Sequence, residues 1–190
     1  MNELFSEGKT YEKEDFSLKA LPKGDYDQCQ FINCHFSGVH LSNYNFIGCD
    51  FNECDLSNVR LGGTGLKEVR FVKCKMVGTQ FTECNPFLLA IDFEDCQLDF
   101  AVFNDLNLPG TSFMKCQLKE VDFSGANLNQ VEFQGCDMEN THFENTKLEQ
   151  ADFRWARNFS IDPELNNLRK ARFSKHNLSG LLHKYKLDIS

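Results

Sequence analysis

The chain has 190 residues, 41% of them apolar, and a formal net charge of −8, enough sequence for one domain with a sizeable core and too apolar for a disordered tail. No stretch approaches the roughly 20 apolar residues of a membrane helix, and Met1-Asn2-Glu3-Leu4 has neither the basic nor the apolar region of a secretion signal, so a cytoplasmic, soluble protein without a membrane partner is expected. Residues 161–190 hold six Lys or Arg against three Asp or Glu, which leaves about −11 on residues 1–160; an acidic body speaks against direct binding to nucleic acid and for a basic partner surface.

In chain order, residues 1–13 are read as an N-terminal cap or tail. Residues 14–175 divide into fives: Cys29-Gln30-Phe31, Cys34-His35-Phe36, Val39-His40-Leu41, Tyr44-Asn45-Phe46 and so on, each triplet apolar, polar, apolar, followed by two polar or small residues. A period of five fits neither a helix at 3.6 nor a flat strand at 2. It fits a short in-out-in step followed by a turn, and Gly38, Gly48, Gly63, Gly78, Gly110, Gly125 and Gly135 fall in the second turn position, where a residue without Cβ suits the corner.

The spacing of the cysteines gives the number of sides. Cys34, Cys54 and Cys74 are 20 apart, as are Cys96, Cys116 and Cys136, so four sides of five residues close one coil. The same spacing stacks Phe31, Phe51, Phe71, Phe93, Phe113, Phe133, Phe153 and Phe173 in one column, provided that two residues near Pro86 are looped out. The expected fold is all-β: a right-handed quadrilateral parallel β-helix of about eight coils and roughly 38 Å at about 4.8 Å per coil.

The nine cysteines are an odd number without CxxC pairs, which argues against a disulfide framework or a zinc site. All fall on the inward small-residue position and are read as wall packing; no cofactor or metal is expected. His35, His40 and His142 occupy outward positions on flat walls, no nucleophile motif accompanies them, and a convex rod with a filled core has no cleft to shift a pKa. An enzyme is therefore not expected.

With the interior spent on stability, function is expected on the outside. Asp50, Asp92, Glu132 and Asp152 take outward positions on one face, interrupted by Arg70 and Arg172, and with Asp122 and Asp137 they are the expected partner-binding carboxylates. The slip at 84–90 offers a contact bulge, Pro86, Phe87, Leu88 and Leu89, and Trp155 falls in a turn position, so part of its ring is expected outside. Residues 176–190 read as a short C-terminal helix with Leu178, Leu181, Leu182 and Tyr185 on one face at i, i+3, i+4, i+7, then Leu187 and Ile189 alternating as an edge strand; these form the expected dimer interface.

The triplets Ala126-Asn127-Leu128 and Ala151-Asp152-Phe153 and the many Cys-x-Phe triplets resemble the A(D/N)Lxx signature of pentapeptide-repeat proteins over nearly the whole chain. The segment Ile161-Asp162-Pro163-Glu164-Leu165 through Arg172-Phe173, with Leu181-Leu182 and Leu187-Asp188-Ile189, resembles the end of the quinolone-resistance (Qnr-type) and microcin and albicidin immunity proteins. The resemblance implies a homodimer joined at its C-termini, an acidic rod that mimics duplex DNA, binds DNA gyrase or topoisomerase IV and relieves an inhibitor. The larger Gram-negative Qnr proteins carry long projecting loops where this sequence has only its two-residue slip. The alternative expectation is an interaction module with a different protein partner.

Overall fold

The computed structural model describes residues 4–87 and 89–188. Its strands are short: β1 (Leu4–Glu7), β2 (Thr10–Glu12), β3 (Gly24–Asp27), β4 (Gln30–Ile32), β5 (Asn45–Ile47), β6 (Asp50–Asn52), β7 (Gly65–Lys67), β8 (Val69–Val72), β9 (Ile91–Glu94) and β10 (Phe113–Met114). Every pairing is parallel, in the orders β1-β3-β5-β7 and β2-β4-β6-β8-β9-β10. This is an all-β, four-sided parallel solenoid.

Four columns of paired outward residues define the sides. Side one runs Thr10, Gln30, Asp50, Arg70, Asp92 and, through single bridges, Ser112, Glu132, Asp152 and Arg172. Side two runs from Asp15 through His35, Asp55, Lys75, Gln97, Gln117 and Asp137 to Arg157. Side three carries His40, Arg60, Gln80, Val102, Asp122 and His142, and side four begins with β1-β3-β5-β7 and resumes with Asn107, Asn127, Lys147 and Asn167. Of the eight coils expected, the first six rungs on side one hold formal strands; later rungs keep the register as one-residue bridges, because each side is only a triplet between two turns. Residues 4–12, expected to lie ahead of the repeats, instead pair with β3 and β4 and so form part of the first coil.

The core is a set of stacked rings. From Tyr11 through Phe31, Phe51, Phe71, Phe93, Phe113, Phe133 and Phe153 to Phe173, successive ring centroids lie 4.6 to 5.4 Å apart. A second column, Phe81, Phe103, Phe123 and Phe143, meets the first edge-on. Stacked and edge-to-face contacts each add to area burial, and the two sets together leave the interior filled.

At the other inward position a small side chain with a donor does more than fill space. The thiols of Cys49, Cys54 and Cys74 donate to the carbonyls of Tyr26, Phe31 and Phe51 at 3.3 Å. The hydroxyls of Thr64 and Thr141 reach the equivalent carbonyls of Leu41 and Leu118 at 2.7 and 2.6 Å. Cys and Thr thus occupy spare acceptor capacity of the preceding coil.

The second turn position is left-handed at Gly38, Gly48, Gly63, Gly78, Gly110, Gly125 and Gly135 and equally at Asn33, Asn43, Asn58, Asp95 and Asp105, residue types that tolerate that region. Between β8 and β9 the register partner of Val69 is Ile91. The amide of Asn85 still donates to Thr64 and that of Ala90 to Leu66, so the extra residues leave the coil between them. Pro86 has no N–H for the ladder, and the side-four sheet ends at β7.

The C-terminal segment departs from the expected α-helix. It forms two 3-10 turns, Leu178–Leu181 and His183–Tyr185, because tertiary contacts set its path. The Asn177 side-chain amide donates to the carbonyls of Phe153 (2.8 Å) and Ala156 (3.1 Å), and the Gly180 carbonyl accepts from Ile161 N–H at 2.9 Å. Gly180 lies so close to the Phe159 ring that a Cβ would overlap it. The segment therefore folds back over the last coil as a lid on the core.

Candidate functional site: the outer faces of the solenoid

The expected carboxylates do not form one surface. Asp50, Asp92, Glu132 and Asp152 stand on side one, Asp137 on side two and Asp122 on side three. Side one is electrically mixed: Arg70 sits between Asp50 and Asp92 and pairs with Glu94, and hydrogen bonds from Arg154, with Arg172 nearby, hold the Asp152 carboxyl below the usual carboxylate range. Asp137 accepts from the Asn158 amide at 2.8 Å. Asp50, Arg70, Asp92 and Leu89 line one shallow depression of about 540 Å³, which joins part of this side to the bulge.

In that bulge Pro86 and Phe87 are exposed, whereas Leu89 is half-buried against the core; Leu88 lies outside the described residues. Trp155 is exposed, as its turn position predicts. Of the expected dimer contacts, Leu178, Tyr185 and Leu187 are exposed, Leu181 and Leu182 are half-buried, and Ile189 lies outside the described residues.

The strongest concentration of charge lies elsewhere. Side three and its two corners carry Glu83, Asp99, Asp105, Glu120, Asp122, Glu139 and Glu144, with Lys119 as their cation, 3.2 Å from Glu139. The stacking is explicit in the backbone. Gly63, Gly125 and Glu120 donate to Glu83, Glu144 and Glu139 on the next coil, Phe100 donates to Lys119, and Val102, Asp122 and His142 pair in register. Over four rungs of about 4.8 Å this is roughly one carboxylate every 3 Å. Duplex DNA carries one charge per about 1.7 Å with both strands counted, so the side approaches that density on one flank alone. Most of these acids occupy turn positions, which the sequence reading did not count as outward; counting both corner residues of each pentapeptide would have found them.

The nine cysteines are free thiols buried in the interior. Burial pushes the thiol of Cys34 up to about 11 and those of Cys49 and Cys84 up to about 12. Hydrogen bonding to the Cys54 thiol, with burial, pushes Cys74 up as well, so these thiols are protonated and unreactive. Among the described residues, no group of three or more His, Cys, Asp or Glu is placed to hold a metal ion, and no helix is long and apolar enough to cross a membrane.

The model of the family described as "Pentapeptide repeat region" matches residues 25–103, 46–123 and 106–182. The chain belongs to the pentapeptide-repeat family. Among solved structures it is similar to full-length QnrB1, a plasmid-mediated fluoroquinolone resistance protein, at 17% identity and a TM-score of 0.60 over 97% of this chain and 100% of that one. A trypsin-treated variant of QnrB1 matches at 18% identity and a TM-score of 0.50 over 99% of both chains. HetL, a pentapeptide-repeat protein involved in heterocyst differentiation regulation from the cyanobacterium Nostoc, matches at 15% identity and a TM-score of 0.43 over 90% of this chain and 85% of that one. No sequence match is found among curated proteins. At these identities the likeness is one of fold.

Proposed function

We propose that this pentapeptide-repeat protein is a non-catalytic binding protein of the cytoplasm whose acidic side three engages the DNA-binding surface of DNA gyrase or topoisomerase IV by partial mimicry of duplex DNA, and so protects the enzyme from an inhibitor. The observation that carries this reading is the band of carboxylates from Glu83 to Glu144 on side three and its two corners, with Lys119 as its cation, on a solenoid whose coils are joined rung to rung by backbone hydrogen bonds. A surface built for a positively charged saddle needs that density and stiffness. The fold shared with a fluoroquinolone resistance protein and the Qnr-like C-terminal segment support the choice of partner.

The same reading includes a homodimer through the C-terminal end. Leu178, Tyr185 and Leu187 at this end are exposed and Leu182 is half-buried, and an isologous contact would cover such residues on both copies at once. A second reading has its own support: the lid already closes the core within one chain through Asn177 and Gly180, as a monomeric interaction module for another protein requires.

The test is gyrase supercoiling with purified protein titrated in, with and without a fluoroquinolone. Restored supercoiling under drug, or inhibition without it, is the expected result. No effect at micromolar protein removes gyrase as the partner. A monomeric mass by light scattering favours the module.

A further inference from the structure

Between the last coils and the lid lies an open groove of about 1230 Å³ whose lining includes Arg154, Trp155, Arg157, His176 and His183, with Glu139 as its acid. Ala156, Phe159 and Gly180, all buried, also line it. Both walls are fixed. One is the solenoid itself; the other is pinned by the Asn177 amide and by the Gly180 carbonyl on Ile161.

Three features of the lining point to one ligand chemistry. The Trp155 ring is 67% exposed, an aromatic face with no protein ring stacked on it among the described residues. Arg157 is 69% exposed, and its nearest carboxylate, Asp137, stands at 3.8 Å and is already engaged by Asn158 at 2.8 Å, so its guanidinium is largely unspent. Arg154 uses one edge on Asp152 and keeps the other. Residues 161–190 as a whole carry six Lys or Arg against three Asp or Glu, of which Arg169 and Arg172 pair with Glu149 and Asp152.

We infer that this groove binds a nucleoside phosphate, free or as the end of a single strand, with its base on Trp155 and its phosphate at Arg157. Aromatic faces give stacking that tolerates any base, and guanidinium groups take phosphate oxygens in a fixed fork. Amide and hydroxyl groups of Asn140, Asn158 and Ser179 on the same lining supply donors and acceptors for a base edge. The overall net charge predicted no contact with nucleic acid; the charge is bipolar, and a short ligand in the groove meets one member of the acidic flank, Glu139, while the neighbouring carboxylates Asp137 and Asp152 already accept from Asn158 and Arg154. This inference does not rest on the topoisomerase reading, and it requires that any dimer contact through the lid leave Trp155 and Arg157 accessible.

Trp155 is the one tryptophan of the chain, so its fluorescence, excited beyond nucleotide absorption, reports the groove directly. The full-length protein is titrated with ATP, an oligo-thymidine of eight nucleotides, inorganic pyrophosphate and an octaglutamate peptide. The expected result is saturable quenching by ATP and the oligonucleotide, at least about 10-fold weaker in Arg157→Gln and weakened by salt, with little from pyrophosphate or octaglutamate. Similar affinities for both nucleotide probes point to a free nucleotide, and tighter binding of the oligonucleotide to a strand end. Because Arg157 is exposed, Arg157→Gln leaves the melting temperature unchanged. Absence of saturable quenching at millimolar ATP, equal binding of pyrophosphate or octaglutamate, or an unchanged affinity in Arg157→Gln overturns the proposal.

Discussion

A single phenylalanine carries much of each coil. Phe113 is fully buried, stacked 5.1 Å from Phe93 and 5.4 Å from Phe133 and edge-on to Phe103. Phe113→Ala is expected to cost about 3–5 kcal/mol, read as a lowered midpoint in urea unfolding; a loss below about 1 kcal/mol would mean that the column is not the principal support. The thiols are the complementary case. Because all nine cysteines are buried, and burial further holds Cys34, Cys49 and Cys84 in the thiol form, the native protein is expected to leave a thiol reagent unreacted at pH 8, while all nine react in guanidinium. Rapid labelling of native Cys74 or Cys116 would contradict this assignment. The inward positions were legible from the spacing of Cys and Phe alone. What that spacing did not carry is the reason for Cys and Thr in particular, the donor bond to the preceding coil, because a period reports direction and not bonding.

At the scale of elements, the C-terminal lid shows where periodicity misleads. Leu178, Leu181, Leu182 and Tyr185 have helical spacing, yet the path is decided by Asn177 bonding to the coil and by Gly180 lying against Phe159. Such contacts join residues more than 20 apart in sequence. The lid is also held by Lys184, which bonds Asp162 at 2.8 Å and lies 2.7 Å from Glu164. Hydrogen bonding to Lys184 depresses both carboxyls, so their contribution is present above the ordinary carboxylate values of 3.8 and 4.5 and is lost as pH falls through their lowered folded values. Hydrogen exchange is expected to show protection of Ile161 N–H falling in that acid range, and Lys184→Gln to reduce it already at neutral pH. Unchanged protection in Lys184→Gln would show that the lid rests on Asn177 and Gly180 alone. The repeat fixes the register before Asn85 and after Ala90 but not the path between them, and Pro86, without an N–H for the ladder, lies where the sheet on side four stops.

For the whole molecule, a sequence of fives specifies a rod with a filled interior and leaves its meaning to the outside. The outward middle residues directed attention to side one, where Arg70, Arg154 and Arg172 offset the acids; the corner residues make side three the acidic flank. Charge is therefore arranged by side as well as along the axis. If it serves a basic partner, binding weakens steeply with salt, which a titration between 50 and 300 mM potassium chloride is expected to show. The most direct measurement is surface plasmon resonance with immobilised gyrase, comparing Glu120→Lys/Asp122→Lys/Glu144→Lys on side three with Asp50→Lys/Asp92→Lys/Glu132→Lys on side one, both checked for an unchanged melting temperature. The account predicts at least about a 10-fold loss of affinity, roughly 1.4 kcal/mol, from the first set and a smaller change from the second. Equal or greater loss from the side-one set, or no binding by the unaltered protein, would contradict it.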